Sequence, residues 1–195
     1  MFSPEQKIQK ETEITVQVFN TLNEIKSNLK SLGFDGDLSQ IYNLYCGKPF
    51  NVNDPNYQKL VNLSYQLCDE YTQLLASTLN PDSSIVQHAE TRRNEIIDIL
   101  FPGHGSIYGF GQWSKLVIGL VDVDGFNLIN VRCQFSPTSL VHLNEYVFVA
   151  PNVVFGDIDI ASKNGMIPPS KIVIKDNTWI CSCVNVGKNV IVGNQ

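Results

Sequence analysis

The chain has 195 residues, of which 43% are hydrophobic and 17% charged, with a net charge of −5 and a pI near 5.1. That is a globular composition, long enough for one sizeable core or for a domain with an appendage. It excludes a disordered chain, and the acidic balance with no Lys/Arg cluster argues against a nucleic-acid partner. No apolar run reaches the roughly 18 residues that a membrane helix needs, so no membrane partner is expected.

The N-terminal stretch MFSPEQKIQKETEITVQVF is polar and lacks the apolar core of a signal peptide, so a cytoplasmic location is expected. Residues 5–32 read as a helix. Val18, Leu22, Ile25, Leu29 and Leu32 recur at spacings of three and four and make one apolar stripe. Gly33 and Gly36 end it, and two heptads are too few for a coiled coil. A second helix is expected over 56–77 behind Asp54-Pro55, with Leu60, Leu63, Leu67, Tyr71 and Leu74 inward. A third, about 84–101, is stopped by Pro102 and Gly103.

From Val117 the period changes to six. Val117, Val123, Ile129 and Phe135 hold one register; Leu143, Val149 and Phe155 a second; Ile174, Ile180, Val186 and Val192 a third. Four residues after an aliphatic, a small or β-branched residue recurs, with Asn127 the clear departure. Three short strands per triangular coil explain this beat, because each aliphatic points inward and stacks on its equivalents. Ordinary amphipathic strands would alternate every second residue. The reading is a parallel β-helix preceded by α-helices, running from about residue 115. Segment 156–171, with Gly156, Gly165, Pro168 and Pro169, breaks the beat and reads as a loop leaving the coil wall. The five cysteines are expected as free thiols filling a narrow interior. His88, His104 and His142 are expected on the surface.

The chain from about Leu44 resembles the maltose, galactoside and xenobiotic acetyltransferases of the hexapeptide-repeat superfamily. The resemblance rests on NLYCGKPFNVNDPNYQKL, RRNEIIDILFPGHG, VFVAPNVVF and IVIKDNTWICSCVNVGKNVIVGNQ, in the family's order. It implies a left-handed β-helix, a trimer with sites between subunits, acetyl-CoA as donor and a sugar hydroxyl as acceptor. It also implies a His after the APNV motif that removes the acceptor's proton. By the same resemblance Asn130 matches a substrate-binding Asn and Trp179 a cofactor-binding Trp.

The sequence departs from that pattern where the chemistry sits. Ile160 stands at the expected His position, and 156–195 contains no His. The carboxylates nearest that position are Asp159 and Asp157, and an unshifted Asp is a weak base. Leu116, Val117 and Ile118 replace a polar motif in the first coil, and Pro137 replaces an acidic residue. Three scattered histidines do not supply the ligands of a hexapeptide-repeat zinc enzyme such as the γ-type carbonic anhydrases. The expected function is therefore an acetyl-CoA-dependent O-acetyltransferase of sugar hydroxyls with weak or lost activity. The alternative is a non-catalytic scaffold, or a partner subunit in a mixed trimer. Three parts are expected: an extension helix over 1–36, a helical segment over 37–105, and the β-helix over 106–195. The last coil stops short, so its apolar layer is expected to need a cover, for which the helix at 5–32 is the local candidate.

Overall fold

The computed structural model describes residues 19–103, 107–157 and 165–193. Residues 19–31 are helical (α1), followed by α2 (Ser39–Tyr45), β1 (Phe50–Asn51), α3 (Pro55–Ser77) and α4 (Ser83–Leu100). Asp54 starts α3 by accepting from the amides of Asn56 and Tyr57, and Asp82 starts α4 by accepting from Ser84. These side chains satisfy amides that no intrahelical carbonyl can reach.

The rest is a three-sided stack of parallel strands. One side holds β2 (Ile107–Phe110), β4 (Asn127–Ile129), β7 (Phe148–Val149) and β11 (Trp179–Ile180). The second holds β5 (Gln134–Phe135), β8 (Val154–Phe155) and β12 (Asn185–Val186), with Lys115 bridging to Gln134 below them. The third holds β3 (Val121–Val123), β6 (Leu140–Leu143), β10 (Lys171–Ile174) and β13 (Ile191–Val192). The coils therefore begin at Ile107, earlier than the sequence beat suggests.

Register explains the six-residue spacing. Phe110, Ile129, Val149 and Ile180 stack on the first side, and Val123, Leu143, Ile174 and Val192 on the third. Phe135, Phe155 and Val186 stack on the second, with the Phe135 and Phe155 rings parallel at 4.7 Å. All of these except Val192 are buried. A core this thin gains its apolar burial rung by rung, so each aliphatic depends on the one above and below.

The turn before most interior residues needs a left-handed backbone. Arg132, Tyr146, Asn152, Asn177, Cys183 and Asn189 all have φ between 56° and 60°. Each stands three residues before an interior position. Asn tolerates that conformation, whereas other side chains lose about 1 kcal/mol there.

Asn127, the departure from the small-residue rule, is fully buried and earns its place by hydrogen bonding. Its Oδ1 accepts from the Val147 amide at 2.7 Å and its Nδ2 donates to the Asp124 carbonyl. The two-residue slip after Phe135 is absorbed at the corner between the second and third sides. Buried hydroxyls fill it: Ser136 contacts Thr138 at 2.8 Å, and Ser139 donates to Ser170 at 3.1 Å. The excursion after Gly156 leaves from the same corner. Its far end is held by β9 (Met166–Ile167), which pairs antiparallel with β1 on the helical segment.

Two expectations need correction. Cys68 and Cys133 are buried, and burial pushes the Cys68 thiol up to about 11, but Cys46, Cys181 and Cys183 are exposed. Cys181 and Cys183 sit at a coil corner whose turn directs them outward rather than into the core. The described part of the helix expected at 5–32, residues 19–31, lies at the first coil and not at the last, while residues 5–18 lie outside the described residues. Ile25 of α1 packs against Gly119, beside the lowest strand of the third side, and Tyr45 of α2 donates to the Gly119 carbonyl. Alongside, Ser64 of α3 accepts from the Ile118 amide and Thr72 from the Trp113 amide. The helices thus close the first coil, while Ile191 at the opposite end is 67% exposed.

Candidate functional site

The residues singled out from the sequence lie on different parts of the prism. Asp157 is exposed at the root of the excursion, with its Oδ2 2.7 Å from Nζ of Lys188 on the last coil. Asp159 and Ile160 lie outside the described residues, as does His104. Asn130 stands at the corner between the first and second sides, and its Oδ1 accepts from its neighbour's amide, Val131, at 2.8 Å. Trp179 is 74% exposed on the outer face of the first side, in register with Phe148. Of these, the three described residues, Asp157, Asn130 and Trp179, lie on different corners and faces of one chain.

Among the described residues the strongest imidazole–carboxylate arrangement involves His142, expected from its sequence position only to lie on the surface. His142 and Asp122 are rung neighbours on the outer face of the third side. Nδ1 of His142 lies 2.9 Å from Oδ2 of Asp122, and Nε2 lies 3.1 Å from Oδ2 of Asp124. These three side chains are also the group that could hold a metal ion, with ligand atoms within 4.8 Å of one another.

The clamp has a defined pH window. The hydrogen bond to Asp122, with the charges of Asp122 and Asp124 behind it, holds His142 above its ordinary 6.5, against desolvation and Lys171. The same bond holds Asp122 below its ordinary 3.8. The imidazolium's contribution to stability is full below about pH 6.5 and is lost as pH rises through its higher folded-state value. The Asp122 contribution is present above about pH 3.8 and is lost as pH falls through its lower folded-state value. His142→Gln is therefore expected to flatten the decline in melting temperature as the pH is raised above 6.5. An unchanged slope would show that the clamp does not couple to folding.

A cavity of about 480 Å³ opens beside the corner that carries Asn130, lined by Trp113, Arg132, Gln134, Asn152 and Val154. Trp113, Arg132 and Asn152 are left-handed turn residues on successive coils, tied by Arg132 N–H to the Gln112 carbonyl and Asn152 N–H to the Val131 carbonyl. The Arg132 guanidinium lies over the Trp113 ring, 5.3 Å from its centroid. The sequence held a signal for this shelf, since Trp113 and Arg132 occupy equivalent turns, but only the register makes them neighbours.

On the first side, exposed aromatics run up the prism. Tyr108, Phe126 and Tyr146 have ring centroids 4.7 and 6.3 Å apart in sequence, with Phe148 and Trp179 above. These side chains form an exposed aromatic strip along the first side.

No protein-family model matches the chain, and no curated protein matches it. Among solved structures, it is similar to a hexapeptide-repeat acetyltransferase from Vibrio cholerae O1 biovar eltor, complexed with acetyl coenzyme A. That match has a TM-score of 0.56 at 16% identity and covers 79% of this chain and 80% of that one. It is also similar to a maltose O-acetyltransferase from Clostridium difficile 630, with a TM-score of 0.48 at 19% identity, covering 78% and 82%. The chain shares the hexapeptide-repeat β-helix fold of the first. No helix among the described residues is long and apolar enough to cross a membrane.

Proposed function

We propose that this chain is an acyltransferase-type β-helix that binds acetyl-CoA as donor and a sugar-like hydroxyl compound as acceptor, with weak or lost turnover. The observation that carries this reading is the three-sided hexapeptide prism, on which the described candidate bases, Asp157 and His142, are already paired. Acyl transfer to a hydroxyl needs a group with a free lone pair within hydrogen-bond reach of the acceptor. Asp157 is paired with Lys188, and both ring nitrogens of His142 face carboxylates. With both ring nitrogens facing carboxylates, His142 offers no free lone pair to an acceptor hydroxyl. Asp159 remains the other carboxylate proposed for the role.

The similar acetyltransferase complexed with acetyl-CoA supports the donor. In this reading the coil sense is left-handed, Trp179 lies against the donor and Asn130 against the acceptor. The aromatic strip on the first side favours assembly, as a homotrimer or as one chain of a mixed trimer in the cytoplasm. A non-catalytic scaffold is the second reading, favoured by that same strip.

The test is release of free CoA thiol from acetyl-CoA in the presence of a panel of neutral and acidic sugars. Turnover is expected at least about 100-fold below that of an enzyme of the same fold with a catalytic His, the usual scale of a general-base contribution. Turnover matching such an enzyme would overturn the reading and point to Asp159 or Asp157, which Asn substitutions then separate.

A further inference from the structure

Arg132 stands in a position that does not suit it. Its φ of 57° is one that Gly or Asn adopts with less strain, and Asn occupies the equivalent turn at 152, 177 and 189. No carboxylate pairs with it among the described residues. The neighbouring cation, Lys115, is already committed to Asp69 and to the Tyr65 carbonyl. A guanidinium with no carboxylate partner among the described residues, on a protein of net charge −5, is available to an anionic ligand.

The surroundings indicate what it would hold. The Trp113 ring lies under the Arg132 guanidinium, and the Trp113 amide is itself anchored to Thr72 Oγ1 on α3 at 3.0 Å. A guanidinium over an indole can still present two N–H groups, which match two oxygens of a carboxylate or phosphate. Gln134 and Asn152 line the same cavity with amides, which both donate and accept and so suit hydroxyl groups. Val154 supplies an apolar wall for a carbon skeleton. The volume, about 480 Å³, is of the size that small-molecule sites have.

We infer that the Trp113–Arg132 shelf binds a small hydroxylated anion, a carboxylate or phosphate carried on a sugar or polyol skeleton. Only in calling this anion the acceptor does the inference rest on the proposed acyltransferase reading; the binding itself does not require acetyl-CoA. An acidic acceptor would also account for a cation at a corner that needs none for folding.

Calorimetry without acetyl-CoA separates the two ideas. Glucuronate, glucose 6-phosphate and glucose are titrated into the intact protein. At least one of the two anions is expected to bind about tenfold or more tightly than glucose, and which one does so identifies the carboxylate or the phosphate as the source. Arg132→Asn and Arg132→Gly are expected to fold, because both residues suit the turn, and to weaken that binding about tenfold or more. The inference is overturned if neither anion binds at millimolar concentration, if glucose binds equally well, or if both Arg132 variants retain the affinity. None of these results bears on whether acetyl-CoA binds elsewhere on the prism.

Discussion

Ile174→Asp is expected to leave no folded β-helix. Ile174 is 0% exposed and stacks between Leu143 below and Val192 above. A carboxylate there would be buried with no partner, at a cost of several kcal/mol in either ionisation state. Domains of this size are stable by only about 5–15 kcal/mol, so one such group in a thin core removes most of the margin. The prism offers no second layer into which the side chain can turn. Circular dichroism should show the strand signal lost at ambient temperature. Asn185→Asp, one residue before interior Val186 and on the outer face, is expected to change stability by no more than about 0.5 kcal/mol. Equal tolerance of the two changes would mean that the interior register is wrong.

Gly111→Ala is expected to be the most damaging single-methyl change. A Cβ at Gly111 would lie 2.2 Å from the Asn130 carbonyl carbon and 2.3 Å from the Val131 nitrogen. Both are backbone atoms, so no rotamer change relieves the contact and the two coils must separate. Overpacking of this kind costs about 3 kcal/mol, equivalent to roughly 10 °C in melting temperature for a chain of this length. Gly187→Ala is the matched control, because nothing lies within 4 Å of its Cβ position. It is expected to be neutral or slightly stabilising through the unfolded chain. The Gly111 change also moves the turn that carries Arg132, so anion binding at the shelf is expected to weaken with it.

What the sequence revealed follows from which contacts are periodic. Ile129, Val149 and Ile180 could be placed inside without coordinates because each coil repeats the same demand on the same position. The helix α3 was legible from Asp54-Pro55 and from the spacing of its leucines, and α4 from its stop at Pro102 and Gly103. The Asp122–His142 clamp was not, since twenty residues separate its members and only the rung alignment makes them neighbours. The same holds for Trp113 and Arg132. The apolar stripe of α1 was visible, but not its target, because a helix face reports that it is buried and not against what. The exposed Cys181 and Cys183 were misread for a different reason. A small residue near a corner fits both an inward and an outward position, and the left-handed turn decides between them.

The departures from the acetyltransferase pattern have structural explanations only in part. Pro137 lies where its carbonyl accepts from the Tyr57 hydroxyl of α3, so this corner anchors the helical segment. Leu116 and Ile118 are fully buried at the first coil, where α3 closes the stack through Ser64 and Cys68. This end of the stack is therefore an interface with a helix, and Arg132, Gln134 and Asn152 line the cavity one corner along.

The central proposal is that the prism binds acetyl-CoA although the described candidate bases, Asp157 and His142, are paired elsewhere. Equilibrium calorimetry of acetyl-CoA with the full chain tests it most directly. The account predicts saturable binding that desulfo-CoA or CoA itself competes away, with the thioester left intact over the course of the titration. Absence of any binding heat at millimolar acetyl-CoA would contradict it and leave the β-helix as a scaffold.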